Sequence, residues 1–299
     1  MNMKRIVFLL ALIVVGMSAM TAFAGVKAGG GSSLAIYSGS TNAGWISQEA
    51  TDANTEVIMN DDRIKKLFGN ITNFKDKDAT GEGSALATWA KTNTGDGKPD
   101  VIITACGTMP SSLYPFPNKK PDGSIVEEFV DAGNILINVA DWIGYMSYEG
   151  GKRSPNNGPS GAANIFDIKG LSFGARKGDM KPTDAGKKYI PSLKPFKSDR
   201  PWHVEQFKGT DWDLTIFAQS DADNADPAVA VSKTAGKDGN GIVAAMWQAA
   251  KPAWPDKPDV RGIGVVEFIA NWLDETAKLS TAVEAQDKLA TTWAGIKGQ

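Results

Sequence analysis

The sequence is poor in the two side chains that most often brace a fold covalently or through a metal. It has one cysteine, Cys106, and one histidine, His203. An internal disulfide framework is excluded because it needs at least two cysteines. A single histidine excludes sites with several histidine ligands and restricts conventional catalytic triads to those that use His203. We therefore expect a fold held by its hydrophobic core, and we assign it neither a metal nor a cofactor.

An excess of basic residues is also missing. The chain has 32 Lys and Arg against 34 Asp and Glu, a formal charge of −2, and no stretch of it is a basic run. Proteins that bind nucleic acid carry basic patches that neutralise phosphates. Nucleic acid is therefore not an expected partner.

Long apolar runs are absent after the first residues of the chain. Residues 6–15 are apolar, follow Lys4 and Arg5, and lead to Ala22-Phe23-Ala24, a small-residue pattern typical of signal-peptidase cleavage. A run of about ten residues is short for a spanning helix, which needs about 20, although a retained anchor is the alternative. We predict a signal peptide over residues 1–24, a flexible lead over 25–32, a secreted or periplasmic location, and no membrane span after cleavage. The mature chain then has 30 basic residues against 34 acidic ones, a formal charge of −4.

The most informative stretch is residues 124–142. Ser124 and Glu127 form a capping-box pattern, Gly133 stands where a helix needs a left-handed terminator, and residues 135–139 are almost continuously apolar. This pattern predicts a helix followed by a strand buried on both faces. Parallel sheets place ligands beyond the carboxyl ends of their strands. The working edge is therefore expected at Asn138, Asp141 and Trp142.

Other segments extend this alternation. Strands are predicted at residues 34–37, 71–74 and 101–104, with one helix that begins near Asp61 and has Gly69 just beyond its end, and another over 84–91. Residues 144–201 are rich in Gly, Pro, Asn and Lys and are interpreted as an irregular insertion with short helices at 162–168 and 183–193. Strands at 214–218, 228–231 and 241–246 follow, the last two as a hairpin turning at 237–240. Amphipathic helices are predicted over 261–273 and 281–296.

Taken in order, three segments resemble the class I glutamine amidotransferase-like superfamily, in particular its trehalose-utilisation (ThuA-like) branch. They are PDVIITACG, EEFVDAGNILINVADW, and DPAVAVSKTAGKDGNGIVAAMWQ with GVVEFIANWL after it. The resemblance implies an α/β fold, a flavodoxin-like three-layer α/β/α sandwich with a mostly parallel sheet. The domain would cover residues 33–275, with the insertion at about 144–201 and a helical tail over 276–299.

The departures from this family concern its catalytic residues. The family has a nucleophilic cysteine at an elbow after the strand that matches residues 134–139, and a histidine after a late strand. Here the elbow is Val139-Ala140-Asp141-Trp142, and the late strand ends in Met246-Trp247-Gln248. Cys106 follows the preceding strand instead. We therefore expect no glutaminase activity.

Candidate ligand-binding residues follow the predicted strand ends. Asp141 could bind sugar hydroxyls or act as a base, or it could cap a helix over residues 142–145. His203 could face the crevice or only pack, and Cys106 could be an activated thiol or an inert buried one. The full set of ligand-binding candidates is Ser38, Ser40, Thr104, Cys106, Thr108, Asn138, Asp141, Trp142, His203 and Gln248.

Two further groups of residues have both a functional and a structural interpretation. The acidic stretch Asp221, Asp223, Asn224 and Asp226 suits a hard cation but departs from the calcium-loop pattern, so a solvated turn is favoured. Five tryptophans on or beside predicted loops suit the C–H faces of sugar rings, although core packing is the alternative for each. They are Trp142, Trp202, Trp212, Trp247 and Trp254.

Three functions remain open from the sequence. The leading hypothesis is an exported, non-catalytic domain that binds a polar small molecule such as a carbohydrate. The second is a carbohydrate-acting hydrolase or isomerase that uses Asp141 with His203. The third is a structural or partner-binding protein of the cell envelope, with the insertion as its binding surface. Convergence of Asp141, His203 and a second acid would favour catalysis.

Overall fold

A mixed seven-stranded sheet forms the centre of the molecule. The computed structural model of the chain describes residues 31–115, 117–119, 122–149, 151–174, 176–233, 241–251, 254 and 259–279. The expected signal peptide, the turn at 237–240 and the helix at 281–296 lie outside the described residues. Among the described residues, no helix is both long and apolar enough to cross a membrane.

The strands of the described residues are short and are distributed over three sheets. In chain order they are β1 Ser32–Tyr37, β2 Phe68–Phe74, β3 Val101–Thr104, β4 Thr108–Pro110, β5 Ile135–Val139, β6 Met146–Glu149, β7 Lys152–Ser154, β8 Gly178–Pro182, β9 Phe196–Ser198, β10 Trp202–His203, β11 Trp212–Ile216, β12 Ala218–Gln219, β13 Asn224–Ala225, β14 Ala228–Ser232 and β15 Ile242–Met246.

The helices are mostly two turns or less. In chain order they are α1 Gln48–Asn60, α2 Asp62–Leu67, α3 Ala85–Thr92, α4 Ile125–Asp131, α5 Pro159–Ile165, α6 Asp184–Tyr189, α7 Arg261–Glu267 and α8 Asp274–Ala277. A π-helical segment, Phe268–Leu273, joins the last two, and 3-10 turns occur at Asp76–Asp78 and Val204–Phe207.

The large sheet has the order β11-β14-β15-β5-β3-β1-β2. The five strands from β15 to β2 are parallel, and β14 runs antiparallel to both β15 and β11. The expected strands are confirmed, and so is the antiparallel pairing of the hairpin strands. The chain is therefore a mixed α/β protein with a largely parallel central sheet.

Both faces of this sheet are buried, because successive side chains of a strand point to opposite faces. In β1, Leu34 and Ile36 join one core cluster while Ala35 and Tyr37 join the other. Apolar residues of α1, α2, α7 and the π segment pack in the first cluster, and those of α3, α4 and α5 pack in the second. The helix predicted over 261–273 has all four of its expected core residues buried, namely Val265, Phe268, Ile269 and Trp272.

The element that leads to the working edge forms as its sequence predicts. Glu127 accepts a hydrogen bond from the backbone N–H of Ser124, whose hydroxyl accepts one from the N–H of Glu127, which starts α4. Gly133 has φ +90°, in the left-handed region that ends a helix. The strand β5 then follows with all five residues buried.

Helix α2 forms as predicted: Asp61 caps it, Lys65 and Lys66 lie in its last turn, and Gly69 lies just beyond its end, within β2. Helix α1 was not predicted at all, because its buried positions include Thr51, Asn54 and Thr55 as well as Ala50 and Ile58. A helix whose buried face is largely polar lacks the apolar periodicity by which helices are recognised.

The insertion at 144–201 is not irregular, contrary to expectation. It contains β6, β7, β8 and β9 as well as α5 and α6. The order of the three-stranded sheet is β4-β6-β7, and that of the five-stranded assembly is β10-β13-β12-β8-β9. Since β6 pairs with β4 and β8 pairs with β12, both outside the insertion, no local pattern marks these strands.

Candidate functional site

Loops after three neighbouring parallel strands meet at one edge of the large sheet. Tyr37 of β1 is in register with Thr104 of β3, which is in register with Asn138 of β5, so the three strands end at the same level. The loops also touch: a Cβ on Gly107 would lie 2.4 Å from the Cβ of Asp141. The loop after β1 reaches the same place, because Asn42 is hydrogen-bonded to Asp141.

Asp141 lies at the centre of this edge and is only 2% exposed. Its Oδ1 accepts a hydrogen bond from the backbone N–H of Trp142 at 2.7 Å, and its Oδ2 accepts one from Nδ2 of Asn42 at 2.8 Å. Residues 142–145 form a turn and β6 starts at Met146, so Asp141 does not cap a helix there. Its side chain instead ties the loop after β5 to the loop after β1.

Thr104 and Asn138 support Asp141 from inside the sheet. The hydroxyl of Thr104 donates to Oδ1 of Asn138 at 2.8 Å, and Nδ2 of Asn138 donates to the backbone oxygen of Asp141 at 2.7 Å. Both side chains are fully buried. They therefore position the main chain of Asp141 rather than line an accessible surface.

The carboxyl of Asp141 is electrostatically unusual. Burial raises its pKa to about 6, although the hydrogen bonds from Trp142 and Asn42 and the positive charges of Arg153 and Arg200 favour the ionised form. At pH 7 the carboxyl is therefore mostly ionised, and its protonated fraction grows as the pH falls towards 6. Such a carboxyl can accept or donate a hydrogen bond to a ligand hydroxyl.

Arg200 borders the same edge between two indole rings. Its guanidinium carbon lies 5.8 Å from the ring centroid of Trp45 and 5.7 Å from that of Trp142. Trp142 in turn stacks on Tyr145, with 4.6 Å between the ring centroids and 15° between the planes. Cation–π contacts of this kind hold a guanidinium in place while leaving its N–H edges available.

Gln248 and Asp226 fix the segment that carries Arg200. The backbone oxygen of Gln248 accepts from the N–H of Arg200 at 3.1 Å, and Nε2 of Gln248 donates to the oxygen of Arg200 at 2.8 Å. Asp226 Oδ2 accepts from the Gln248 N–H and from the hydroxyl of Ser198, both at 2.7 Å. Gln248 is fully buried, so its role at this edge is to position Arg200.

Asp226 does not belong to a solvated turn, in contrast to the favoured interpretation of the acidic stretch. It is fully buried, and burial raises its pKa to about 7. Asp221 and Asp223 do lie in an exposed turn, in which Asp221 accepts from the Asp223 N–H at 2.9 Å and from Nδ2 of Asn224, a half-buried residue of β13, at 2.8 Å. The described residues contain no group of three His, Cys, Asp or Glu side chains placed to hold a metal.

Ser38 and Ser40 lie at the β2 side of the edge and are engaged there. The hydroxyl of Ser38 donates to Oδ1 of Asn73 at 2.7 Å, and that of Ser40 donates to Oδ2 of Asp76 at 2.7 Å. Asp76 Oδ1 also accepts from the hydroxyl of Tyr37 at 2.6 Å. These contacts fix the shape of the loop after β1.

Cys106 and Thr108 are buried below the edge rather than exposed on it. Cys106 packs in the second core cluster, and burial raises its pKa to about 12, so its thiol is not an activated nucleophile. Thr108 lies in β4 with its hydroxyl buried. Neither side chain is therefore exposed at the edge.

His203 is not brought together with Asp141. It is buried in β10, where burial and the charge of Arg176 lower its pKa while Glu205 opposes this shift. The charges that act on Asp141 are those of Arg153 and Arg200 instead. No hydrogen bond joins these two described side chains, so the geometry expected of a catalytic pair is not present.

Most of the tryptophans considered for sugar contact are core residues. Trp202, Trp212, Trp247 and Trp254 are each 9% exposed or less. The indole N–H groups of Trp202 and Trp212 donate to the backbone oxygens of Ala245 and Phe166 at 3.1 and 2.8 Å. Trp142 is also largely buried, but it lies at the edge beside Arg200.

Backbone strain accompanies the ends of two neighbouring strands. Ala140 after β5 has φ +81°, and Trp247 after β15 has φ +53°. Left-handed conformations cost non-glycine residues about 1–3 kcal/mol and cluster at functional sites. The strain therefore marks the same edge as Asp141 and Arg200.

Sequence reasoning missed three residues of this site: Asn42, Trp45 and Arg200. Asn42 and Trp45 belong to the loop after β1, where the sequence SGSTNAGW offered only a polar composition. Arg200 lies at the end of the insertion and reaches the edge through long-range packing. The only sequence feature that could have indicated Asn42 and Trp45 is that they follow a predicted strand.

A cleft of about 630 Å³ lies at the opposite edge of the sheet, where β11 begins and β14 ends. Its lining includes Asp131, Asp167, Asp211 and Lys169. Burial, and then the charge of neighbouring carboxylates, raises the pKa of Asp131 and Asp167. The cleft has no aromatic–arginine arrangement like that at Asp141, so its volume alone does not make it the better site.

No protein-family model matches this chain, and a search of curated proteins found none similar to it.

Proposed function

We propose that this protein is an exported, non-catalytic domain that binds a sugar or a similar polar small molecule at the edge marked by Asp141. Within this proposal the fold is a flavodoxin-like three-layer α/β/α sandwich of the amidotransferase-like type. The order of the parallel strands and the burial of both sheet faces support that classification. The protein acts outside the cytoplasm after removal of residues 1–24.

One observation carries the proposal: Asp141 and Arg200 stand at the same edge beside aromatic rings, without forming a salt bridge with each other. Asp141 is held by Asn42 and Trp142, and Arg200 is held by the rings of Trp45 and Trp142. A sugar needs hydrogen-bonding groups for its hydroxyls and apolar faces for its C–H groups. The edge has both kinds of group, since Asp141 directly precedes Trp142 and Arg200 lies against the rings of Trp142 and Trp45.

We propose that the protein is not catalytic because of the residues at its two strained backbone positions. Ala140 has the left-handed backbone of an elbow but no nucleophilic side chain, and the residue after β15 is Trp247. The resemblance would require a cysteine and a histidine there. Cys106 does not replace the nucleophile, since its thiol is buried and protonated.

A carbohydrate-acting enzyme is the second candidate, and the pKa of Asp141 favours it. A carboxyl with a pKa of about 6 suits general acid–base catalysis near neutral pH. Such an enzyme would convert a bound sugar on prolonged incubation and would lose this conversion in Asp141→Asn. Unchanged sugar recovered after binding favours the binding protein.

The test begins with a thermal-shift screen of the mature chain against neutral and acidic monosaccharides and disaccharides, since a ligand of the native state raises the melting temperature. Calorimetry then measures each sugar that gives a shift. Replacing Asp141 by Asn removes the charge at constant volume, and we expect it to weaken binding by about 1.5–3 kcal/mol while the fold persists.

The control is Asp184→Asn, which removes a fully exposed carboxylate in α6 and should leave the affinity unchanged. If Asp141→Asn binds as well as the wild type and melts at the same temperature, the site does not lie at Asp141.

A further inference from the structure

The arginines of the described chain divide into two groups by their partners. Three of the five pair with a carboxylate: Arg63 with Asp61 at 2.9 Å, Arg176 with Glu205 at 2.7 Å, and Arg261 with Asp259 at 3.8 Å. The other two are Arg153 and Arg200. Neither has a carboxylate within salt-bridge distance among the residues that the structure describes, and both act electrostatically on Asp141.

Arg200 is prepared to bind an anion. Its backbone is held by Gln248, and its guanidinium is held against the rings of Trp45 and Trp142. One of its side-chain nitrogens donates to the backbone oxygen of Asp199 at 3.2 Å. The planar fork of a guanidinium binds carboxylate or phosphate through two parallel hydrogen bonds.

The support behind this arginine is itself buried. The backbone oxygen of Trp45 accepts from both terminal nitrogens of Arg261, at 3.5 Å each, and Arg261 is fully buried. The ring of Trp45 therefore stands on a loop that is anchored to α7. Binding an anion at Arg200 would require little ordering of the protein, which favours affinity.

Neighbouring carboxylates do not cancel the positive charge at this edge. Asp199 pairs with Lys177 at 2.9 Å and accepts from the backbone N–H of Ala250, and Asp76 is engaged by Tyr37 and Ser40. Asp141, with a pKa of about 6, is mostly ionised at neutral pH, so it offsets one of the two positive charges of Arg153 and Arg200 and leaves the other. The indole N–H of Trp142, a further donor, is buried without a partner among the described residues.

We infer that the ligand is an anionic sugar, one whose carboxylate or phosphate binds the guanidinium of Arg200 while its hydroxyls bind Asp141 and Asn42. This inference rests on the proposed function and names its substrate class. Arg153, on β7, adds a second positive charge to the same edge without being required to touch the ligand.

The experiment compares D-glucuronate, D-glucose 6-phosphate and D-glucose as ligands of the mature chain by calorimetry at neutral pH. We expect at least one of the two anionic sugars to bind tenfold or more tightly than glucose. Raising the salt concentration should reduce this preference, because screening weakens charge–charge attraction. Preference for the uronate identifies a carboxylate ligand, and preference for the phosphate ester identifies a phosphorylated one.

Two variants assign the preference to the correct residue. Arg200→Gln should remove most of the preference for the anionic sugar over glucose. Arg200→Lys should retain part of this preference, because lysine keeps the positive charge but cannot form the two parallel hydrogen bonds of a guanidinium. Arg176→Gln is the matched control, since it removes an arginine already paired with Glu205, and it should keep the preference. Melting temperatures verify that each variant is folded.

The outcomes separate this inference from the proposal on which it rests. If the wild type binds glucose as tightly as both anionic sugars, or if folded Arg200→Gln keeps the full preference, the inference is wrong and the proposed function stands. If no sugar in the earlier screen binds, both fail. Should Arg200→Gln not fold, the comparison of the three sugars on the wild type decides.

Discussion

Gly107 is the residue on which the close packing of the edge loops depends most directly. It has φ +68°, and a Cβ there would lie 2.4 Å from the Asp141 Cβ and 2.6 Å from its backbone nitrogen. The left-handed backbone costs an alanine about 1–2 kcal/mol, and the overlap adds about 1–3 kcal/mol. We expect Gly107→Ala to lower the free energy of unfolding by about 2–5 kcal/mol in urea titrations.

The control for this prediction is Gly123→Ala. Gly123 has φ +77°, but a Cβ there would meet no atom within 4 Å. Only the backbone cost of about 1–2 kcal/mol applies to it. Equal losses in the two variants would show that contact with Asp141 is unimportant.

Asp226 makes the stability of the protein depend on pH in a direction that is unusual for a carboxylate. Its pKa rises from 3.8 to about 7 on folding, so between about pH 4 and pH 7 the folded state keeps a proton that the unfolded state has lost. The free energy of unfolding therefore falls as pH rises through this window. Asp141 acts in the same direction up to about pH 6.

We expect Asp226→Asn to flatten this dependence. A shift of this size corresponds to at most about 4 kcal/mol between the two ends of the window. Urea titrations of the wild type and the variant from pH 4.5 to 7.5 give the slope of the free energy of unfolding against pH for each protein. His203, whose pKa is lowered, contributes in the opposite direction, but it contributes equally to both proteins and so cancels in the difference. Asp221→Asn is the control. The pKa of Asp221 is lowered, so its contribution to the pH dependence of stability lies at more acidic pH, below the range measured. Parallel curves for the wild type and Asp226→Asn would refute the prediction.

At the scale of elements, α4 shows how a local signal determines the start of a helix. The hydroxyl of Ser124 accepts from the Glu127 N–H, satisfying one of the donors that a helix leaves free at its first turn. Because β5 and then Asp141 follow α4 directly, the start of this helix bears on the site as well.

Removing this cap should destabilise the protein measurably. We expect Ser124→Ala to lower the free energy of unfolding by about 0.5–2 kcal/mol, as substitutions of capping residues do. Thr88→Ala changes an exposed residue inside α3 and should stay within about 0.5 kcal/mol of the wild type. Thermal or urea unfolding of the two variants provides the comparison, and a neutral Ser124→Ala would mean that packing alone holds α4.

At the scale of the whole molecule, a cluster of aromatic rings joins the insertion to the second core. Phe173 stacks on Trp202 with 5.0 Å between ring centroids, and Phe166 lies within 5.6 Å of Trp202, Phe207 and Trp212. The indole N–H of Trp202 donates a hydrogen bond to the backbone oxygen of Ala245 in β15. The insertion is therefore part of the same hydrophobic core as the large sheet.

This continuity predicts the behaviour of a core truncation. Phe173 is fully buried, and we expect Phe173→Ala to cost about 3–5 kcal/mol through lost contacts and a cavity. Unfolding should remain a single transition when it is followed by both tryptophan fluorescence and circular dichroism. Val57→Ala, at a position 43% exposed, should cost much less. Two separate transitions would show that the insertion folds independently.

Much of the central sheet could be predicted from the sequence, since β1, β3, β5, β14 and β15 are short apolar runs bounded by turn residues. The spacing of apolar residues indicates which positions are buried, and a strand that is covered on both faces is apolar at nearly every position. Asp141 could be found for the same reason, because it directly follows such a run. The signal peptide and the family resemblance remain predictions.

Only the tertiary structure decided the rest of the site. Arg200 and Trp45 lie far from Asp141 in the sequence. A contact between two distant segments produces no repeating residue pattern within either segment, so it cannot be predicted from local sequence. Asp226 reads as part of an acidic turn, yet the surrounding chain buries it. Helix α1 and the strands of the insertion were hidden for a related reason: their buried faces are polar, or their partners lie elsewhere in the chain. The sequence by itself thus determined which segments enter the core, because burial selects residue types locally, while packing between distant segments determined which polar groups meet at the edge.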